Sequence, residues 1–134
     1  MPVEEGVYSR EDVTVLPTND DNLTTVFSQA EKTAVSTEDS NRVGVTGTGI
    51  LVQQFKDEVT GGSVTGKWVG QTTLEPTTAT VYLQVYNQET ASWENLDTND
   101  TASAGTDFTL QGSLADTTDY LSNNQVSFRV YQDV

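Results

Sequence analysis

The stretch Asp97-Thr-Asn-Asp-Thr101 gathers five oxygen-bearing side chains in five residues, the donor type a Ca²⁺ loop uses. Acids of neighbouring loops, Asp107, Asp116 and Asp119, would complete such a cage. The stretch lacks the central glycine and the bidentate glutamate of an EF-hand, so a solvated turn rich in Asx residues is the favoured reading. Twenty carboxylates in 134 residues make some close acid pair inevitable, and paired carboxylates are the machinery of a glycosidase. Such an enzyme needs a cleft with concave walls, and no insertion large enough to build one is visible. Gly44-Val-Thr-Gly-Thr-Gly49 has the glycines of a phosphate-cradling loop, but no helix pattern and no Lys-Ser/Thr follows. Its glycines are expected instead to mark a bulge or a close backbone approach.

There is no histidine and no cysteine. Without imidazole there is no Ser-His-Asp triad and no histidine metal ligand. Without thiols there are no disulfides, no thiolate catalysis and no Cys-ligated zinc. The sequence therefore assigns no catalytic residue, no metal ligand and no cofactor. Asn22-Leu-Thr24 and Asn99-Asp-Thr101 match the N-glycosylation pattern but read as chance matches, because no secretion signal accompanies them.

Aromatic side chains are the other chemistry on offer. Trp68, Trp93, Tyr82, Tyr86 and Tyr131 have flat faces of the kind that stack on sugar rings. In a sandwich an inward Trp is usually core, and Trp93, beside a hairpin, is expected to pack over a cross-strand pair. Tyr82, Tyr86 and Tyr131 fall on the outward phase of their strands and are expected to be exposed. Exposed tyrosines are enriched in protein contacts, so these three, with Val13, Val15 and Leu16 of an N-terminal apolar run, are the expected partner interface.

These residues must be held by strands. In Thr80–Tyr86, Val81, Leu83 and Val85 face one way, and Thr80, Tyr82, Gln84 and Tyr86 the other. Val126, Phe128 and Val130 alternate likewise with Ser127, Arg129 and Tyr131. So do Phe108, Leu110 and Leu114 with Thr109, Gln111 and Ser113, and Val64, Gly66 and Trp68 with Thr65, Lys67 and Val69. Strand 80–86 is expected to hairpin through Asn87–Ser92 into Trp93–Leu96. Arg42–Phe55 reads as one long extended segment, and 23–27 as a strand followed by a turn or a single helical turn. The sum is seven or eight antiparallel strands in an all-β sandwich, Ig-like or jelly-roll. Residues 1–20 are expected as an arm or edge strand, with 21–134 as the single domain.

Hydrophobic content is 34%, below the usual globular share, with Thr, Ser, Asn, Asp and Gly filling the difference, as suits a turn-rich β protein. Six basic against twenty acidic residues give a net charge of −14, which repels phosphate backbones, so nucleic acid is not an expected partner. The longest apolar run, Ile50–Val52, is too short to cross a bilayer, so no membrane is expected either. The acidic Met-Pro-Val-Glu-Glu start lacks a signal's basic and apolar regions, and a chain made soluble or already mature is expected.

The string Lys67–Gly70, Val81–Asn87, Trp93–Asp97, Thr106–Leu110 and Val126–Gln132 resembles a β-sandwich domain of structural proteins of tailed bacteriophages, over roughly residues 50–132. The resemblance lies in strand pattern and not in a catalytic signature. It implies a non-enzymatic virion component. As a capsid decoration or cementing protein it would bind the major capsid protein or other virion subunits, as a homo-oligomer on the particle. Its segment 1–45 would dock the domain to its assembly. The competing expectations are a carbohydrate- or receptor-binding module of a phage tail or surface structure, and an accessory β domain of a larger complex.

Overall fold

The computed structural model describes residues 7–36, 42–59 and 61–134. Among them run β1 (Val7–Val13), β2 (Thr25–Val26), α1 (Gln29–Ala34), β3 (Ile50–Glu58), β4 (Val64–Gly70), β5 (Val81–Asn87), β6 (Ser92–Asn99), β7 (Phe108–Leu114) and β8 (Gln125–Asp133). All pairings are antiparallel. A six-stranded sheet, ordered β2-β1-β3-β8-β5-β6, faces a two-stranded sheet, β4-β7. The eight-stranded antiparallel sandwich expected from the period-two pattern is what forms.

The inward phases make the core. Val81, Leu83 and Val85 of β5 and Val126, Phe128 and Val130 of β8 meet Leu110 and Leu114 of β7, with Trp68 and Val64 of β4 packed alongside. Leu83, Leu110, Val85 and Val126 are at most 2% exposed, so each contributes about 1.5–3 kcal/mol through removal from water. The sheets are close here because Gly66 lies against the Phe128 ring. A Cβ on Gly66 would stand 2.8 Å from ring carbon Cε1.

A second apolar cluster sits at the β1 end. Tyr8, Phe27 and Phe55 pack edge-to-face, with ring centroids 4.8–6.2 Å apart. Phe27 is brought there by its backbone N–H donating to the Tyr8 carbonyl, after which Ser28 opens α1 with a capping box.

Turn chemistry follows the sequence. The β5–β6 hairpin begins where Asn87 Oδ1 accepts the backbone N–H groups of Glu89 and Thr90, and Ala91 takes the left-handed conformation at φ 54°. The Leu83–Gln84 step of β5 carries a register shift against β6, which leaves Leu96 out of the ladder to pack against Gly112 of β7.

Two expectations are corrected, in the segments 42–55 and 23–27. The extended segment 42–55 is a strand only from Ile50, because Asp12 sits where the glycines pass. Its Oδ1 accepts the Gly49 N–H at 3.0 Å, so the close backbone approach expected there is made by a carboxylate of the chain itself. Residues 7–13, inside the segment 1–20 expected as an arm or edge strand, form β1 and pair in full with β3; residues 1–6 lie outside the described ones. Strand 23–27 shortens to two residues, followed by the expected helical turn.

Candidate functional site

The outer face of the large sheet holds most of the residues singled out for binding. One row across it reads Glu11, Val52, Tyr131, Tyr82, Thr98, and the next reads Ser9, Gln54, Arg129, Gln84, Asn95. A solvated sheet face would leave these side chains wet, yet Val52, Ser9, Gln54, Gln84, Ser127 and Arg129 are all buried. The cover is the segment 14–24, which joins β1 to β2 by crossing the face as a strap.

The strap is fastened by a polar inventory in which the sheet supplies most donors and the strap most acceptors. Arg129 Nη1 donates to the Pro17 carbonyl at 2.7 Å, and Gln54 Nε2 to the carbonyls of Asp20 and Asp21. Trp93 Nε1 donates to the Asn19 carbonyl at 3.1 Å. The Asp20 carboxylate accepts from Ser127 Oγ at 2.8 Å and Gln88 Nε2 at 3.0 Å. In return Leu23, 6% exposed, donates its N–H to Ser9 Oγ. The strap itself stays largely exposed, Leu23 apart; the buried polar side chains of the sheet are what need partners, and the strap's carbonyls and the Asp20 carboxylate provide them.

Arg129 is the centre of this face. It is 4% exposed, donates Nε to Gln84 Oε1 at 2.7 Å, and stands over the Trp93 ring at 4.1 Å and the Tyr131 ring at 5.5 Å. Among the described residues it forms no ion pair. Burial pulls its pKa down to about 10, which leaves it cationic at neutral pH. Gln84 Nε2 passes the chain on to Asn95 Oδ1. Tyr82 and Tyr131 stack across β5 and β8 at 4.8 Å and 15° between planes, and burial raises the Tyr131 hydroxyl above its ordinary range.

The expected interface residues therefore separate. Tyr82 and Tyr131 come together, half-buried, as a stacked pair. Tyr86 is a correction: it is 7% exposed and packs edge-to-face on Trp93 at 5.1 Å, because its outward phase lies under cover. Val15 stands on the strap 78% exposed, while Val13 and Leu16 are half-buried. Trp68 is on the inner face as expected, its Nε1 donating to Gln53 Oε1, and Trp93 packs over its cross-strand pair. Arg129, Gln84, Gln54 and Asp20 were not expected. The signal was present: the outward positions of β5 and of β8 from Ser127 to Tyr131 hold no carboxylate, although the chain carries twenty.

The Asp97–Thr101 oxygens are engaged in turn formation. Asp97 Oδ1 accepts the Thr98 N–H and its Oδ2 the Gln111 N–H, while Asn99 Oδ1 accepts from Thr101 and Ala102. Asp116 Oδ1 caps Thr118, and Asp107 pairs with Arg42 at 2.5 Å. No group of three or more acids converges as a metal site among the described residues.

No family model matches the chain, and comparison with curated proteins and with solved structures gave no match.

Proposed function

We propose that this protein is a non-enzymatic structural component of a virion, a decoration or cementing protein that binds and reinforces a capsid lattice. The observation that carries the reading is the strap. It is locked to the sheet by at least six hydrogen bonds and still holds Val15 out in water, 78% exposed, with Val26 of the adjoining β2 52% exposed. These are the large apolar side chains the described residues leave exposed, Val15 two residues past the end of β1 and Val26 in β2 opposite Ser9. A pre-ordered apolar contact loses little entropy on docking, and repetition over a lattice turns a weak contact into firm retention. The strand-pattern resemblance to phage sandwiches points the same way.

A sugar-binding reading has less support. The face of Trp93 is occupied by Arg129 and its N–H by Asn19, and the faces of Tyr82 and Tyr131 are turned on one another.

The test is quantitative mass spectrometry of purified particles from the source, counting this chain against the major capsid protein. A ratio near one or a simple fraction of it is the expected result, and Val15→Asp should lower occupancy without altering the melting temperature. A few copies per particle would move the assignment to a tail or receptor-binding module, and absence from particles would overturn the virion reading.

A further inference from the structure

The strap lies on its sheet face as an occupant lies in a binding site. Five side chains of the sheet and its β5–β6 hairpin donate to it: Arg129, Gln54, Trp93, Ser127 and Gln88. One accepts, Ser9 Oγ, from the Leu23 N–H. The acceptors that meet the donors are the carbonyls of Pro17, Asn19, Asp20 and Asp21 and the Asp20 carboxylate, all within residues 17–21. A short extended segment rich in acceptors is what this face selects.

The match is incomplete at its centre. A buried guanidinium is ordinarily paired with a carboxylate, whose two oxygens suit its fork of N–H groups. Arg129 is 4% exposed and forms no ion pair among the described residues, although the chain holds twenty acids and the strap above it carries Asp20 and Asp21. It receives the neutral Pro17 carbonyl on Nη1, and Nη2 makes no hydrogen bond among the described residues. Gln84 Oε1 holds Nε, and the Trp93 ring lies 4.1 Å away, so the Nη end is a fork fixed in place and half filled. The cover is also lightly anchored. Leu23 is its one buried side chain, so lifting it exposes little apolar surface and breaks mainly hydrogen bonds that another segment can remake.

We propose that the strap is an autoinhibitory occupant, lifting to admit an extended acidic segment of a partner protein whose carboxylate takes both Nη groups of Arg129 and whose carbonyls replace those of residues 17–21. Charge complementarity selects this occupant, since the face offers donors and one uncompensated cation. The net charge of −14 opposes the approach of such a segment. Salt screens that long-range repulsion more than it screens the buried pair, so affinity rises with ionic strength, opposite to a surface ion pair. The inference does not rest on the virion reading. There the closed strap presents Val15, and the open strap is a minor state of the same molecule.

The test uses two capped peptides with the sequence of residues 14–24, one carrying Pro17→Glu and one the uncharged Pro17→Gln. Both are titrated into the full chain and into its Asp20→Ala variant. The readout is the indole N–H resonance of Trp93, with that of Trp68 on the inner face as internal control. The tethered strap competes at an effective concentration of order millimolar, so Asp20→Ala, which removes two of its bonds, should tighten both peptides about tenfold. The Pro17→Glu peptide should bind about tenfold tighter than the Pro17→Gln peptide, and tighter still as NaCl is raised. Equal affinity for the two peptides overturns the proposal, as does an Asp20→Ala variant that binds them no better than the natural chain. Binding that leaves the Trp93 resonance unmoved puts the peptide elsewhere and overturns it too. So does the absence of binding to either protein at millimolar peptide.

Discussion

Arg129 shows how one residue acquires its importance from surroundings 45 and 112 positions away in sequence, at Gln84 and Pro17. Replacing it with Ala would leave the Gln84 oxygen and the Pro17 carbonyl buried without donors. The expected loss is about 2–4 kcal/mol in chemical denaturation, and Arg129→Lys should recover little of it, because an ammonium cannot donate along both directions while lying flat on Trp93. Asp57 has the opposite sign. It lies on the core side of β3, accepting from the Tyr8 hydroxyl at 2.6 Å, while its other oxygen is buried without a hydrogen-bond partner among the described residues. Burial raises its pKa from 3.8 to about 6, against the opposing pull of the Tyr8 bond. Above about pH 6 the carboxylate is ionised in both states and the fold bears the desolvation cost; as pH falls through 6 the folded state takes up the proton first and the cost disappears. Asp57→Asn should therefore stabilise the protein by about 1–2 kcal/mol at neutral pH, the advantage shrinking to nothing near about pH 4. Paired urea melts across that range would check it, and a difference independent of pH would mean the carboxyl titrates normally.

At the scale of elements the strap is the informative one. Its hold on the sheet depends on Asp20, whose carboxylate joins Ser127 of β8 to Gln88 at the β5–β6 hairpin. Asp20→Ala removes both bonds and should cost about 1–3 kcal/mol. The visible consequence should be local: limited proteolysis is expected to cut within 14–24 well before the strands yield, because little apolar area besides Leu23 anchors the segment. Cleavage spread evenly over the chain would mean the strap unfolds only with the whole. The strands themselves were plain in the sequence. β4, β5, β7 and β8 fall within a residue or two of where alternation places them, since each buries one full phase in the shared core. β3 was overread at its start, because Gly44–Gly49 is extended in composition but is held by Asp12 and not by a ladder. β1 has no sharp bounds in the sequence within 1–20 because its alternation is weak: Tyr8 and Arg10 point inward, and Ser9 is buried on the other side.

For the whole molecule, charge is the dominant long-range term. Of the three arginines, Arg10 pairs with Glu31, Arg42 with Asp107, and Arg129 is buried, so little cationic surface offsets the twenty acids. Self-repulsion of this kind is screened by salt, and raising NaCl to about 1 M should lift the melting temperature by several degrees. A melting temperature unmoved by salt would mean that the acids are spaced too widely to matter. What the sequence determined by itself was the strand class, most of the strand positions and the acidic surface. These are local or summed properties, set by period-two alternation and by composition. What only the tertiary structure decided was which outward phases meet water. The outer positions of β5 and of β8 up to Tyr131 and those of β4 and β7 look alike in sequence, mostly polar and free of acids. One set is buried because a strap from residues 14–24 folds back across it, and the other is open because no described segment does. Burial of a second sheet face depends on a distant part of the chain, and no local pattern carries that information.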